Sequence, residues 1–330
     1  MENVINTYTL LFAILTAFAV AAYLIHIWRR KELKNTIPLA VTSMVIALLY
    51  IFIAAPGLAN YYNGLVLDIC IALISTILAI CYISKPYVFL SLIILLLAGI
   101  LVYVNNYPGS TLFMGMFAIG TISGLLYRDF ALSSKKDARA RKRKSTEIKR
   151  DIIQIFMGII LVAVILLSSR LSAISIIFAL VLLGYLTNNL LANFILSPLY
   201  KRAADLERKN VSYGLGATYL AAGTSLVLGF TSTTPLLLFG IVALFFGDSM
   251  ATIIGISARR AAHLPHNRYK TIVGSLAFFF TVAVIGYFII GLYAVPLAAV
   301  LAFVESLDIF LDDNIRTGIV VVILGAALGL

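Results

Sequence analysis

Two short stretches in the C-terminal part of the chain concentrate residues able to handle phosphate and a divalent cation. In FFGDSMATIIGISARRAAHLPHNRYKTIVGSLAFFF (245–280), Asp248 stands inside an apolar run. An ionised carboxylate there costs a few kcal/mol unless it is paired, hydrated or bound to metal. The polar segment that follows carries Arg259, Arg260, His263, His266, Arg268 and Lys270, then Thr271, Gly274 and Ser275 where the next apolar run begins. Cations, hydroxyls and the free N–H groups of a helix start together form a cradle for a polyphosphate. The two histidines lie three apart across a proline with no third ligand, which favours loop polarity over zinc. The other stretch is ESLDIFLDDNIR (305–316). Glu305, Asp308 and Asp312 are spaced by three and four residues, so a helix continuing through them carries three carboxylates on one stripe. Acids that close are best tolerated around a cation, and Mg²⁺ with its oxygen ligands suits them. Alternatively, Asp312, Asp313 or Asn314 caps a final helix starting near Ile315.

A third polar segment, LYKRAADLERKNVS (199–212), brings Lys201, Arg202, Arg208 and Lys209 to the start of a span. There they either meet phosphates of a nucleotide or lipid or serve as snorkelling, topogenic charge. Asn188, Asn189 and Asn193 precede it, placed to hold a substrate hydroxyl or to bond between helices.

The elements that carry these residues are membrane helices. Hydrophobic residues make up 62% of the 330 and charged residues 12%, against about 45–50% and about 25% in soluble domains. The apolar runs recur from end to end at or near the roughly 20 residues that cross a bilayer. They predict an all-α, polytopic integral membrane protein of about twelve spans: 7–28, 36–56, 64–84, 86–104, 111–127, 152–169, 171–196, 214–230, 235–256, 271–290, 292–307 and 315–330. With the N-terminus outside, every one of the 25 Lys and Arg residues except Arg170 falls on the cytoplasmic side, a strong positive-inside pattern. The net charge of +11 is thereby accounted for as orientation and attraction to anionic lipid heads, with no call for nucleic acid. Cys70 and Cys81 share one apolar segment and read as core residues. The first run, Leu10 to Trp28, has no preceding basic residue and no cleavage site, as a retained helix should.

The organisation expected from these patterns is an N-terminal helical region (1–132), a basic cytoplasmic loop (133–151) and a second helical region (152–330) that holds the chemistry. Asp68 is the buried carboxylate of the first region and reads as structural.

Three pieces in order, ERKNVSYGLG (207–216), GDSMATIIG (247–255) with KTIVGSLAFF (270–279), and ESLDIFLDDN (305–314), give the chain a resemblance to the polyprenol kinase family, which includes dolichol kinase, phytol kinase and CTP-dependent diacylglycerol kinase. The resemblance covers roughly 200–330. It implies an enzyme that transfers the γ-phosphate of CTP to an isoprenoid or other lipid alcohol at the cytoplasmic membrane face, with Asp248, Lys270 and Asp313 as site residues. Ser212, Val273 and Arg259 depart from the family's pattern. On this basis Asp248 with Asp312 or Asp313 holds Mg²⁺, Lys270 and Arg259 or Arg260 offset phosphoryl charge, and Glu305 or Asp308 takes the alcohol proton. Arg208, Lys209, Arg268, Thr271, Gly274 and Ser275 complete the CTP contacts. The competing readings are a phosphatidate cytidylyltransferase-like CDP-lipid synthase, a transporter, and a lipid-binding relative without catalysis.

Overall fold

The computed structural model describes residues 7–30, 36–42, 44–45, 62–80, 91, 93, 95, 110–132, 144–186, 215–231, 233–258, 262–309 and 311–329. Arg208, Lys209, Ser212, Arg259, Arg260, the three asparagines at 188–193 and most of the expected spans 36–56 and 86–104 lie outside the described residues. The described chain is overwhelmingly helical: α1 (Thr7–Arg29), α2 (Tyr62–Ile80), α3 (Ser110–Leu132), α4 (Lys144–Leu167), α5 (Arg170–Leu186), α6 (Leu215–Phe230), α7 (Thr234–Ile241), α8 (Asp248–Ser257), α9 (Ile272–Ile290), α10 (Ala294–Ser306) and α11 (Asp313–Leu328). A π-helical turn, Val242–Gly247, joins α7 to α8 without interrupting the rod. A small antiparallel hairpin, β1 (His263–Leu264) and β2 (Asn267–Thr271), turns at Pro265–His266 between α8 and α9. The chain divides into two compact units, Met1–Asp137 with Phe178–Ser197 and Ala138–Ile177 with Pro198–Leu330. Helix α4 begins at Lys144, so the last eight residues of the expected basic loop, 144–151, are already helical.

In the first unit, α3 packs on α2 through Gly120 and Gly124, four residues apart. A Cβ on Gly124 would stand 2.6 Å from the Ala79 Cβ and 2.7 Å from the Thr76 carbonyl. Small residues at this spacing let backbones touch, which is how helices gain dispersion contact where no water drives them together. The hydroxyls of Thr42, Thr76 and Ser123 bond across the same junction, with Thr42 Oγ1 2.6 Å from Ser123 Oγ.

The second unit exposes apolar helix faces and buries several polar residues. The stretches Glu147–Leu167, Thr234–Ser257 and Ile272–Ser306 are long and apolar enough to cross a membrane, and the protein is a membrane protein. The last stretch is a hairpin of α9 and α10, 19 and 13 residues, bent at Gly291 with φ +64°. The outward faces of α4 and α9 carry Ile152, Ile153, Phe156, Ile159, Phe280, Val284 and Phe288, all well exposed. An apolar surface that continuous is what lipid, not water, would cover. The central rod α7–α8 is the buried one, with Leu237, Phe239, Ile241 and Ala243 fully enclosed, and α4, α9 and α11 pack on it or on its π turn.

Helix α6 crosses α11 with backbone on backbone. A Cβ on Gly318 would lie 2.7 Å from the Gly223 carbonyl oxygen, and one on Gly223 would collide with the Asn314 carbonyl. No flexible side chain is present to give way. We expect Gly318→Ala to destabilise the detergent-solubilised protein by about 1–3 kcal/mol, read as a lower thermal midpoint. An unchanged midpoint would refute the close crossing.

Candidate functional site

Four elements of the second unit deliver the charged cluster. Asp248 is the first residue of α8, about 14 Å along the helix from its end at Ser257. Its position depends on the π turn. The Asp248 N–H donates to the carbonyl of Ala243, five residues back, and the extra residue in the turn rotates everything after it by about 100° relative to a straight α-helix. Gly247 permits the fit, because a Cβ there would lie 2.6 Å from Val282 and 3.0 Å from Phe278 on α9.

Glu305 lies at the end of α10 and Asp313 at the start of α11. Arg316, almost fully buried, binds these two helices together. Its Nη1 donates to the carbonyls of Val304 and Leu307, both at 2.8 Å. A cation on the last carbonyls of a helix satisfies acceptors that have no partner within it. Lys270, from the end of β2, completes the group by donating to Glu305 Oε1 and, at 3.0 Å, to Asp313 Oδ2.

The hairpin holds Lys270 in place. His266 Nε2 meets Ser306 Oγ at 3.0 Å, and Asn267 Nδ2 donates to the Ser306 carbonyl at 2.9 Å. Thr271 then caps α9, its Oγ1 accepting from the Gly274 N–H at 3.1 Å. Gly274 and Gly255 face each other where α8 and α9 pack closest: a Cβ on either would lie 3.5 Å from the other's Cα.

One carboxylate oxygen from each of Asp248, Glu305 and Asp313 lies within 4.8 Å of the others. With all three ionised and Lys270 charged, the partly buried group carries two net negative charges, a surplus that a divalent cation would match. Three carboxylate oxygens brought this close from separate elements would suit the all-oxygen coordination that Mg²⁺ prefers. Glu305 Oε2 and Ser249 Oγ are buried with no hydrogen-bond partner, as are the less deeply placed Asn314 Oδ1 and Ser275 Oγ. Orphaned oxygen acceptors on cluster-bearing elements are what a cation and its ligands would satisfy. The residues therefore fit a hard, oxygen-preferring metal.

The three-acid stripe expected over 305–312 does not form. Helix α10 ends at Ser306, and Asp308 is exposed in the connection to α11, away from the cluster. Asp312 is the N-cap of α11, accepting from the Asn314 N–H at 3.0 Å, while its neighbour Asp313 turns to Lys270. Arg268 is exposed on β2, and Ser275 sits in the first turn of α9. Two residues at the site went unremarked in the sequence. Gln154 on α4 donates to Asp248 Oδ2 at 3.2 Å and to the Leu244 carbonyl at 2.9 Å. Asp151, one turn earlier and fully buried, pairs with Arg150 at 3.4 Å. A polar residue recurring on one face of an otherwise apolar helix is the signal that could have found both.

Burial pulls the Lys270 ammonium down, but the carboxylates of Asp313, Glu305 and Asp248 outweigh it and hold its pKa above the ordinary value. Burial, then the charge of Asp313, push the Asp312 carboxyl up to about 8 against the hydrogen bonds from Asn314. Folded Asp312 thus keeps a proton that the unfolded chain loses above about 4, and its contribution to metal-free stability falls as pH rises between those values. Lys270 stays charged across this window and adds no slope. The thermal midpoint of the metal-free protein is expected to drop from about pH 5 to about pH 8 more steeply than that of Asp312→Asn, which keeps a competent N-cap. Equal slopes would refute the assignment.

No family model matches the chain, and no solved structure matches it. Over 173 residues, the chain is 31% identical to the uncharacterized protein MJ1137 of Methanocaldococcus jannaschii, an alignment that covers 51% of this chain and 87% of the archaeal one. At that identity and coverage, the chain belongs to the same family as this archaeal protein.

Proposed function

We propose that the chain is a multi-pass, CTP-dependent lipid-alcohol kinase of the polyprenol kinase type, with about twelve spans, its N-terminus outside and its site at the cytoplasmic face of the cell membrane. The observation that carries this reading is the meeting of Asp248, Glu305 and Asp313 with Lys270 in one partly buried group drawn from four separate elements. Phosphoryl transfer asks for alignment and charge neutralisation more than for covalent help, and this group is built for both.

Asp248, Glu305 and Asp313 would hold a divalent cation, Mg²⁺ in this reading, whose contribution is neutralisation of the triphosphate. Lys270 offsets charge on the phosphoryl group in transfer. The N–H groups expected to meet a phosphate at the start of α9 are taken within the protein, Gly274 N–H by Thr271 Oγ1 and Ile272 N–H by the Ala262 carbonyl, so Arg259, Arg260 and Arg268 would supply the positive charge for the phosphates. The bond between the γ-phosphorus and its bridging oxygen breaks, CDP leaves with the electron pair, and the alcohol oxygen bonds to phosphorus. Of the two acids considered as proton acceptor, Asp308 faces outward and Glu305 holds Lys270 through Oε1 and would hold the cation through Oε2, so in this reading the alcohol proton passes to solvent at the membrane boundary. The lipid tail stays among apolar helices, so only its hydroxyl has to reach the cluster.

Purified protein with Mg²⁺ and γ-labelled CTP should phosphorylate at least one member of a panel of polyprenols, phytol-like alcohols and diacylglycerol, releasing CDP. Folded protein that transfers label to none of them defeats the reading, and release of pyrophosphate with a CDP-lipid product replaces it with a cytidylyltransferase. Asp248→Asn and Asp313→Asn should each lower kcat by about 10²-fold or more. Asp308→Asn should leave kcat within about threefold, the size of an ordinary surface change.

A further inference from the structure

Among the described residues of α4, Gln154 stands out because its single amide serves two partners on the central rod. The carbonyl of Leu244 is the one that the Asp248 N–H would serve in an unbroken α-helix. In the π turn that N–H goes to Ala243 instead, and Gln154 Nε2 supplies the Leu244 carbonyl with a donor at 2.9 Å. The same nitrogen reaches Asp248 Oδ2 at 3.2 Å. Helix α4 is held against this turn by Gly158, where a Cβ would lie 2.6 Å from the Phe245 Cβ. The amide therefore sits at a fixed height opposite the carboxylate.

We propose that Gln154 is a positioning residue for the cation site: by bonding the π turn and one Asp248 oxygen at once, it sets the angle at which the other oxygen meets Glu305 and Asp313. The inference rests on the reading of that cluster as a divalent-cation site. A glutamine suits the task because its NH₂ donates two protons and carries no charge to add to a group already holding three acids. Partners that orient a ligating carboxylate are worth about 10–100-fold in metal affinity when removed.

The probe is Mn²⁺ alone, bound to the full-length protein in detergent and followed by electron paramagnetic resonance, with no nucleotide or lipid present. Gln154→Leu, which keeps the bulk and removes the donor, should weaken Mn²⁺ binding by about 10–100-fold. Gln154→His returns one N–H at similar reach and so only one of the two bonds; it should bind Mn²⁺ more tightly than Gln154→Leu and less tightly than wild type, a partial rescue that a purely packing role would not give. Binding by Gln154→Leu within twofold of wild type overturns the inference, as does a Gln154→His that binds no more tightly than Gln154→Leu when its thermal midpoint matches wild type. A wild-type protein that binds Mn²⁺ with the expected dependence on Gln154 yet phosphorylates no lipid leaves this inference standing and removes the kinase reading. A wild-type protein that binds no Mn²⁺ removes both.

Discussion

The second unit depends on the ion pairs that Lys270 makes with Glu305 and Asp313. Moving any of these charges out of water is expensive, and their mutual attraction compensates only when geometry and hydrogen bonding are good. Three acids around one lysine are not a balanced set. With all three acids ionised, the surplus negative charge keeps Lys270 protonated and leaves carboxylate oxygens facing one another; in the proposed reading a bound cation would balance it.

Several features of the second unit keep these charges within reach of one another. Arg316 joins the end of α10 to the start of α11, Ser306 anchors the β-hairpin that carries Lys270, and the α9–α10 hairpin returns the chain to the same level from which it departed. Glycines set the spacing. Gly223 against Gly318, Gly255 against Gly274 and Gly247 against α9 draw helices closer than side chains normally allow. In an apolar solvent that closeness is itself the source of attraction between helices, so the contacts that stabilise the bundle also fix the positions of the acids.

The π turn before Asp248 is the one irregular feature of the central rod. Such turns are rare and gather at functional positions because they displace a side chain by a full residue step without breaking the helix. Here the displacement leaves the Leu244 carbonyl to a side chain from α4, which ties the carboxylate to a neighbouring helix. The wide turn and its amide partner form one device, and neither has an obvious purpose in an ordinary apolar span.

Composition and run length by themselves determined that the protein is helical and lives in a membrane, because no water-soluble core absorbs so much apolar surface. The residue types at Asp248, Lys270 and Glu305 were equally legible, since a charge inside or beside an apolar run demands an explanation, whereas Asp313 read as a helix cap and became a site candidate only through the family resemblance. Only the tertiary structure decided how they combine. Spacing alone put Glu305, Asp308 and Asp312 on one stripe, but the helix stops at Ser306, Asp308 turns outward and Asp312 becomes a cap while Asp313 enters the cluster. Gln154 was silent in the sequence because a lone amide in a span has meaning only beside the carboxylate and carbonyl it meets. The physical reason is common to all of these: periodicity reports which side of a helix a residue occupies, whereas a site made of helix ends is set by where helices stop, how far their glycines let them approach and where a wide turn shifts the register.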